Sequence, residues 1–246
     1  MKSISANLNI MIKAVEKASR ALIRDFGEIE KLQVSLKGPS DFVSNADLKA
    51  EKIIIEEIKK ARPNYSIISE EDGSEINKDE KNTWIIDPID GTTNFLHGIP
   101  HFAISIALKH ENEIVSGLIY DPIKDEMFYG EKDNGAFFNN QRIRVSKKRD
   151  LNACLFATGG KIKEEIDLPI RKSGCAALDI AYVAAGRYDG YFQNDLNLWD
   201  IAAGLIILKE AGGVINEINL SQNKNVQIRA SSMAINDKMI EKLRNF

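Results

Sequence analysis

Cysteine is scarce in this 246-residue chain: Cys154 and Cys175 match no disulfide framework and no metal-site spacing. The net charge is only −3, so no strong field favours nucleic acid or an anionic membrane. Apolar runs long enough to span a membrane are absent, and the segment MKSISANLNIMIKAVEKASR lacks the unbroken apolar core of a signal peptide. We therefore expect a cytoplasmic protein with no membrane contact and no direct nucleic-acid binding.

The remaining composition is that of an ordinary folded protein. Hydrophobic residues make up 43% of the chain and charged residues 28%, and the length is sufficient for a sizeable core. No repeat, low-complexity tract or linker interrupts the sequence. We expect one domain over residues 1–246, formed by two subdomains that span approximately 1–145 and 146–246.

The spacing of apolar residues predicts helices over 4–26 and 45–61, and the second ends before Pro63. Region 102–145 has the two-residue period and the turn spacing of an antiparallel meander. The other expected strands cover 65–71, 83–87, 153–158, 190–193, 214–218 and 226–231, and the other expected helices cover 175–186, 200–211 and 237–244. This mixture indicates an α+β fold with helices packed on largely antiparallel sheets.

The stretch WIIDPIDGTTNF, residues 84–95, places two acids at the end of an apolar run. Asp87 ends the predicted strand close to the core, and Asp90 follows at the next bend. Gly91 lets the backbone approach a ligand, and Thr92 and Thr93 precede a short helix whose N-terminus suits a phosphate. Carboxylates beside an anion site repel phosphate unless cations intervene, and Mg²⁺ is the cation that prefers oxygen ligands.

Three further acids at the ends of elements, Asp47, Glu70 and Asp200, complete a candidate carboxylate set, and each also has a structural interpretation. Asp47 fits a capping box with Ser44 at the start of its helix. Glu70 lies in a run of acids that is typical of a solvated turn. Asp200 can cap the helix that follows it. The residues alone leave both interpretations open, because they do not show that Asp200 folds back onto Asp87.

Four ordered motifs resemble those of the inositol monophosphatase family of Mg²⁺-dependent, lithium-sensitive phosphatases. They are DPIDGTTNF, DFVSNAD (41–47), ISEED (68–72) and WDIAAGLIILKEAGG (199–213). The resemblance extends along nearly the whole chain. It implies a layered αβαβα sandwich, a homodimer, two or three Mg²⁺ per site, and hydrolysis of a small phosphorylated metabolite by metal-activated water.

The resemblance also implies roles for individual residues. Glu70, Asp87 and the Ile89 carbonyl would hold the first Mg²⁺. Asp87, Asp90 and Asp200 would hold the second, and Glu70 would hold a weaker third. The remaining implied roles belong to Asp47 and Thr92, which would orient the attacking water, and to the backbone amides of Gly91 and Thr92, which would bind the phosphate.

Substrate recognition is expected at the segment SGCAAL, residues 173–178, which resembles the family's G-[TS]-A-A segment. Gly174, Cys175 and Ala176 are the matching positions, with Cys175 in place of the usual Thr or Ser. Gln193 stands where inositol phosphatases usually carry a glutamate that accepts a hydrogen bond from the sugar ring, and an amide accepts more weakly. The segment 159–172 is also too short for the helix and strand that the family normally has there.

The DGTTNF form of the first motif favours the inositol and fructose bisphosphate groups, and we rank inositol-1-phosphate first as the substrate and fructose-1,6-bisphosphate second. Histidinol phosphate and phosphoadenosine phosphate are less favoured, because the motifs of their phosphatases typically differ after DGT. A hypothesis of a different functional class also remains. The chain could be a regulatory binding protein with a phosphatase fold that contacts the transcription machinery.

Overall fold

The computed structural model describes residues 4–29, 34–38, 41–161 and 168–243. Within these ranges the helices α1 to α6 span Ala6–Phe26, Asn45–Ala61, Thr92–Leu96, Ala176–Ala184, Leu198–Glu210 and Asn236–Lys242. None of the helices in this described part of the chain has the length and apolarity needed to cross a bilayer.

In the described ranges the strands form three sheets. A two-stranded sheet pairs β1 (Val34–Gly38) with β2 (Asp41–Ser44). The large sheet has the order β10-β9-β8-β7-β6-β5-β3-β4, with β3 to β10 at Tyr65–Ser69, Gly73–Glu75, Asp79–Asp90, Ala103–His110, Glu113–Asp121, Glu126–Glu131, Gly135–Phe138 and Gln141–Arg142. The small sheet has the order β12-β11-β13-β15-β14, with β11 to β15 at Phe156–Ala157, Ile170–Arg171, Gly190–Leu196, Gly213–Ile215 and Val226–Ser232.

Both faces of the large sheet are covered by helices, as strand β5 illustrates. Trp84 and Ile86 are buried in a core shared with α1 and α2. Ile85, the residue between them, is buried in a different core, shared with α4 and α5. Because successive side chains of a strand point to opposite faces, a continuous apolar run is what a strand between two helical layers requires.

The small sheet lies on the far side of α4 and α5. Tyr191 of β13 joins their core, whereas the next residue, Phe192, packs in a third cluster with Met239 of α6. The order of layers is therefore α1/α2, large sheet, α4/α5, small sheet, α6. The predicted αβαβα sandwich is confirmed. The sheets are largely antiparallel, with parallel pairs at β3/β5, β11/β12 and β11/β13.

Helix α5 packs closely on the large sheet and on α4 at two glycines. A Cβ built on Gly117 of β7 would lie 2.7 Å from the Ala203 carbonyl oxygen. A Cβ on Gly204 of α5 would lie 2.6 Å from Ile180 Cγ2 of α4. Both distances are far below a normal carbon contact, so these two positions accept only glycine without displacing a helix.

Several elements have bounds that differ from the predicted ones. The strand expected over 83–87 extends over Asp79–Asp90, because antiparallel pairing with β6 runs from Asn82 to Asp90 and Asp79 pairs with Tyr65 of β3. The strand expected over 153–158 is reduced to Phe156–Ala157 after a 3₁₀ turn at Leu151–Ala153. The helix expected from residue 200 begins at Leu198.

Two of the remaining predictions reach outside the described residues. The last expected helix is observed over Asn236–Lys242, and residue 244 lies beyond the described range. In the short segment 159–172, β12 pairs in parallel with β11, and residues 162–167 lie outside the described ranges.

Candidate functional site

The site is built around an irregularity near the end of β5. The register between β5 and β6 shifts between Asp87 and Asp90, so the strand is interrupted at Pro88 and Ile89. Proline cannot donate to a ladder and is tolerated at such bulges. Asp87 is only 1% exposed, and its Oδ1 accepts the Ile89 N–H at 3.0 Å. The sequence predicted Asp87 at a strand end; it lies inside the strand, three residues before the last pair, Asp90 with Ala103.

Asp87 is the electrostatic centre of the site. Burial raises the pKa of its carboxyl well above the usual range, and the negative charges of four neighbours raise it further. These neighbours, in decreasing order of effect, are Glu70, Asp90, Asp200 and Asp47. The structure therefore brings all five predicted acids into one electrostatic group.

The surrounding acids come from separate elements. Asp47 is the third residue of α2 and is 1% exposed. Glu70 directly follows β3, and its N–H donates to the Ile86 carbonyl of β5 at 3.3 Å. Asp200 lies in the first turn of α5, where its Oδ2 accepts the Asn197 N–H at 2.7 Å in a capping box. Asp200 thus does contribute to capping, with Asn197 as the N-cap residue. The expected capping box of Ser44 and Asp47 involves the side chain of Ser44, which lies outside the part of the structure that is described.

Asp90 connects the end of β5 to the start of α4. Its Oδ2 accepts the Ala177 N–H at 2.6 Å and the Cys175 S–H, with Sγ at 2.9 Å. Burial raises the pKa of Asp90 to about 6, while these hydrogen bonds act in the opposite direction. Burial likewise raises the pKa of the Cys175 thiol, and the charge of Asp90 adds to this effect.

The potential metal-ligand atoms of this acidic group are of the type found in hard-cation sites. They are carboxylate oxygens, which Mg²⁺ prefers, and a buried acidic group of this kind is costly without a positive charge. Throughout the described part of the chain, however, no three His, Cys, Asp or Glu side chains are arranged closely enough to hold a metal ion as they stand. Asp87, Asp90 and Asp200 each direct one oxygen to a protein N–H.

Gly91 and Thr92 start the short helix α3. Gly91 has φ +96°, and a Cβ there would lie 3.2 Å from the His101 carbonyl oxygen and 3.3 Å from that of Gly174. Glycine is required for both the backbone angle and the close approach. The Thr92 hydroxyl donates to the Ile89 carbonyl at 2.9 Å. A hydroxyl has one proton, so donation from Thr92 to Asp47, as the resemblance implies, would need that proton to rotate away from Ile89.

The predicted substrate segment lies against the acidic group. Gly174 has φ +81°, and a Cβ there would lie 3.1 Å from Asn94 Nδ2. Ala176 is 8% exposed, and Cys175 is 1% exposed. Because the Cys175 thiol is directed at Asp90, its side chain contacts a carboxylate of the candidate metal site.

Gln193 on β13 is held by two donors. Its Oε1 accepts the Gly159 N–H at 2.7 Å and the Tyr191 hydroxyl at 2.6 Å. A backbone N–H can only donate, so the atom facing Gly159 must be the amide oxygen, which fixes the orientation of the amide. The hydrogen-bond acceptor of Gln193 is thus used within the protein, and its Nε2 is the atom that remains for other contacts.

Two functional positions were not predicted from the sequence. Asn94 is buried, and its Nδ2 donates to the His101 carbonyl at 2.8 Å and to the Ser173 carbonyl at 2.9 Å. It ties the segment after α3 to the segment before α4. Asp179 is 1% exposed and accepts the Ser173 hydroxyl at 2.7 Å; burial raises its pKa to about 8. Asn94 lies within the motif DPIDGTTNF, but the resemblance implies no role for it. Asp179 has the pattern of an ordinary acid in the first turn of a helix, so no signal in the sequence distinguishes it.

Comparison with known proteins gives a consistent result. A sequence model described as the inositol monophosphatase family matches residues 5–245. The chain is 51% identical over 225 residues to a protein of Rhizobium meliloti (strain 1021) named inositol-1-monophosphatase, covering 85% of this chain and 84% of the relative. It is 42% identical over 227 residues to a protein of Pasteurella multocida (strain Pm70) named Nus factor SuhB, covering 86% and 85%.

Among solved structures, the chain is similar to the extragenic suppressor protein suhB of Bartonella henselae. The TM-score is 0.90 at 46% sequence identity, and the match covers 98% of this chain and 99% of the other.

Proposed function

The chain belongs to the inositol monophosphatase family, and from that premise we propose that it is a Mg²⁺-dependent hydrolase of small phosphate monoesters, with inositol-1-phosphate as its leading substrate. The name of the 51% identical relative from Rhizobium meliloti supports this choice of substrate. Inhibition by Li⁺, a cytoplasmic location and a homodimeric state are further expectations.

The observation that carries the proposal is the acidic group around Asp87. The negative charges of Glu70, Asp90, Asp200 and Asp47 raise the cost of ionising Asp87, which is only 1% exposed. Such an arrangement weakens the fold unless a cation balances it. A group of this kind, at the end of a strand next to a glycine and two threonines, is what a cation-assisted phosphatase requires.

We assign one Mg²⁺ to Glu70, Asp87 and the Ile89 carbonyl, and a second to Asp87, Asp90 and Asp200. The Ile89 carbonyl oxygen accepts from Thr92 and still has a second lone pair for a ligand. When bound, such ions neutralise the phosphoryl oxygens and lower the pKa of a coordinated water.

The other residues of the chain bind and orient. We assign the backbone amides of Gly91 and Thr92 to the phosphate, and Asp47 with the Thr92 hydroxyl to the orientation of the attacking water. Asp47 is buried on the first turn of α2, and its rigid position suits this task. Gly174, Ala176 and Gln193 border the place where the leaving group would lie.

The direct test is phosphate release from inositol-1-phosphate, fructose-1,6-bisphosphate, histidinol phosphate and phosphoadenosine phosphate. We expect release from inositol-1-phosphate to require Mg²⁺, to stop with EDTA and to be lost in Asp90→Asn. Asn194→Asp is the control, since it exchanges an amide for a carboxylate outside the acidic group, where Asn194 Oδ1 accepts from Gln227 Nε2. Release that survives both EDTA and Asp90→Asn would refute the metal assignment. Faster release from fructose-1,6-bisphosphate would replace the leading substrate with the second one.

A second candidate function is regulatory. The 42% identical relative from Pasteurella multocida carries the name Nus factor SuhB, which favours a role as a binding protein that contacts the transcription machinery. Absence of release from every ester, together with retained binding to RNA polymerase in a pull-down, would support this function. Binding that persists in Asp90→Asn alongside measurable hydrolysis in the wild type would indicate that both functions coexist.

A further inference from the structure

We propose that Cys175 is a positioning residue for Asp90: its thiol holds one oxygen of that carboxylate so that the other oxygen faces the cation. This inference rests on the proposed function, because it assumes that Asp90 ligates Mg²⁺. It gives Cys175 a different role from the substrate contact that its sequence motif implies.

The contact is direct and buried. Cys175 Sγ lies 2.9 Å from Asp90 Oδ2, and the cysteine is 1% exposed. An ionised carboxylate has no proton to give, so the thiol is the donor in this pair. The interaction joins residues 85 positions apart in sequence, one from the large sheet and one from the helical layer beside it.

The same oxygen has a second donor, which shows what the contact does. Asp90 Oδ2 also accepts the N–H of Ala177 at 2.6 Å. Ala177 is the second residue of the nine-residue helix α4, the position whose N–H is normally bonded by the side chain of the N-cap residue. Cys175 is that N-cap residue, and its side chain makes no cap hydrogen bond. Asp90 therefore caps α4 from another element, and the thiol reinforces it.

The choice of cysteine at this position follows from the geometry. Serine and threonine side chains at an N-cap are good acceptors of their own helix N–H groups. A thiol is a weak acceptor and competes less for the Ala177 N–H. With Oδ2 held by two donors, Oδ1 is the atom we assign to the cation. Partners that orient a ligand in this way typically change metal affinity by about 10–100-fold when they are removed.

The first test is Mg²⁺ affinity, measured by titration calorimetry on the metal-free full-length protein. We expect Cys175→Ala to weaken Mg²⁺ binding about tenfold, the lower end of that range, because S–H is a weak donor. Cys175→Ser keeps a donor but adds an acceptor that competes for the Ala177 N–H, so its affinity should lie between those of Cys175→Ala and wild type. Thermal melting of each variant verifies that it is folded.

The matched control is the other free cysteine. Cys154 is also buried, and its Sγ lies 3.1 Å from the Asp150 carbonyl oxygen. It belongs to the separate cluster beneath α6. Cys154→Ala therefore loses a buried thiol hydrogen bond without touching the acidic group, and its Mg²⁺ affinity should equal that of the wild type.

A spectroscopic measurement separates positioning from simple space filling. In the Cys154→Ala background, the S–H stretching band in the infrared belongs to Cys175 alone. We expect this band at lower frequency than that of a free thiol, and we expect it to rise when Mg²⁺ is added, because the cation draws charge from Asp90 and weakens the acceptor. A band at the free-thiol frequency that ignores Mg²⁺ would overturn the inference.

The outcomes distinguish the inference from the function on which it rests. If the wild type binds Mg²⁺ and hydrolyses an ester while Cys175→Ala binds Mg²⁺ equally well, the inference is wrong and the proposed function remains. If the wild type neither binds Mg²⁺ nor releases phosphate, the proposed function is wrong and the inference falls with it.

Discussion

Gln193→Glu tests whether position 193 contributes to substrate choice, and the structure indicates that the change is mild. Both partners of Gln193 Oε1, the Gly159 N–H and the Tyr191 hydroxyl, are donors. A carboxylate accepts both bonds with one oxygen, so the local structure is kept. The second carboxylate oxygen then replaces Nε2, and the position changes from a donor to an acceptor.

The magnitude follows from the type of hydrogen bond gained. A neutral hydrogen bond contributes about 0.5–1.5 kcal/mol net, and one to a charged group contributes about 1.5–3 kcal/mol. The difference of roughly 1 kcal/mol corresponds to about fivefold in kcat/KM. We therefore expect Gln193→Glu to raise the kcat/KM for inositol-1-phosphate about fivefold. The kcat/KM for fructose-1,6-bisphosphate should not rise, since the added charge repels a second phosphate.

The assay is phosphate release under subsaturating ester, with thermal melting as a control for folding. Asn194→Asp is the matched variant, because it adds the same charge at the next residue and keeps an acceptor for Gln227 Nε2. An unchanged or lower kcat/KM for inositol-1-phosphate in a stable Gln193→Glu protein would refute the reasoning. The side chain would then not face the ring of the substrate.

Three further substitutions test the supports of the site. Gly91→Ala should lower stability by about 1–3 kcal/mol, because φ +96° strains any other residue; chemical denaturation measures this, and an unchanged midpoint would contradict it. Asn94→Asp should cost about 2–4 kcal/mol, since it removes the donor to two buried carbonyls and places a carboxylate beside them; a variant as stable as wild type would show that these bonds contribute nothing. Asp179→Asn tests linkage: with a pKa raised to about 8 by burial, the native state binds the proton more tightly than the unfolded chain, so wild-type stability falls as pH rises from about 4 to 8. The Tm of Asp179→Asn should therefore exceed that of wild type by an increasing margin between pH 5 and 8, and parallel curves would refute the assignment.

Local patterns in the sequence were sufficient for the α+β class and the main elements, whereas the αβαβα order of the layers came from the resemblance of the motifs. The apolar periodicity of α1 and α2 and the continuous run Trp84-Ile85-Ile86 predict burial without knowledge of any partner. The bounds of β5 and α5 were less predictable, because they depend on pairing with β6 and on a capping box with Asn197.

Contacts between distant segments explain what the sequence left out of the site. The gathering of Asp47 and Asp200 near Asp87 depends on how α2 and α5 pack, and residue types alone do not encode this. The partners of Cys175 and of Gln193 were missed for the same reason. A motif indicates that a side chain serves a site, whereas the atom that it touches is decided by elements far away along the chain.

The close packing of α5 on Gly117 determines what a break in the chain would do to the site. By sequence α5 lies between β13 and β14 of the small sheet, yet it packs against strands of the large sheet and carries Asp200 there. A protease cut near residue 146 would therefore separate the acids of the site between two fragments. We expect neither fragment alone to be active. Mixing the two fragments should restore activity only to the extent that α5 docks on the large sheet again. Recovered activity would therefore report reassembly of the entire molecule.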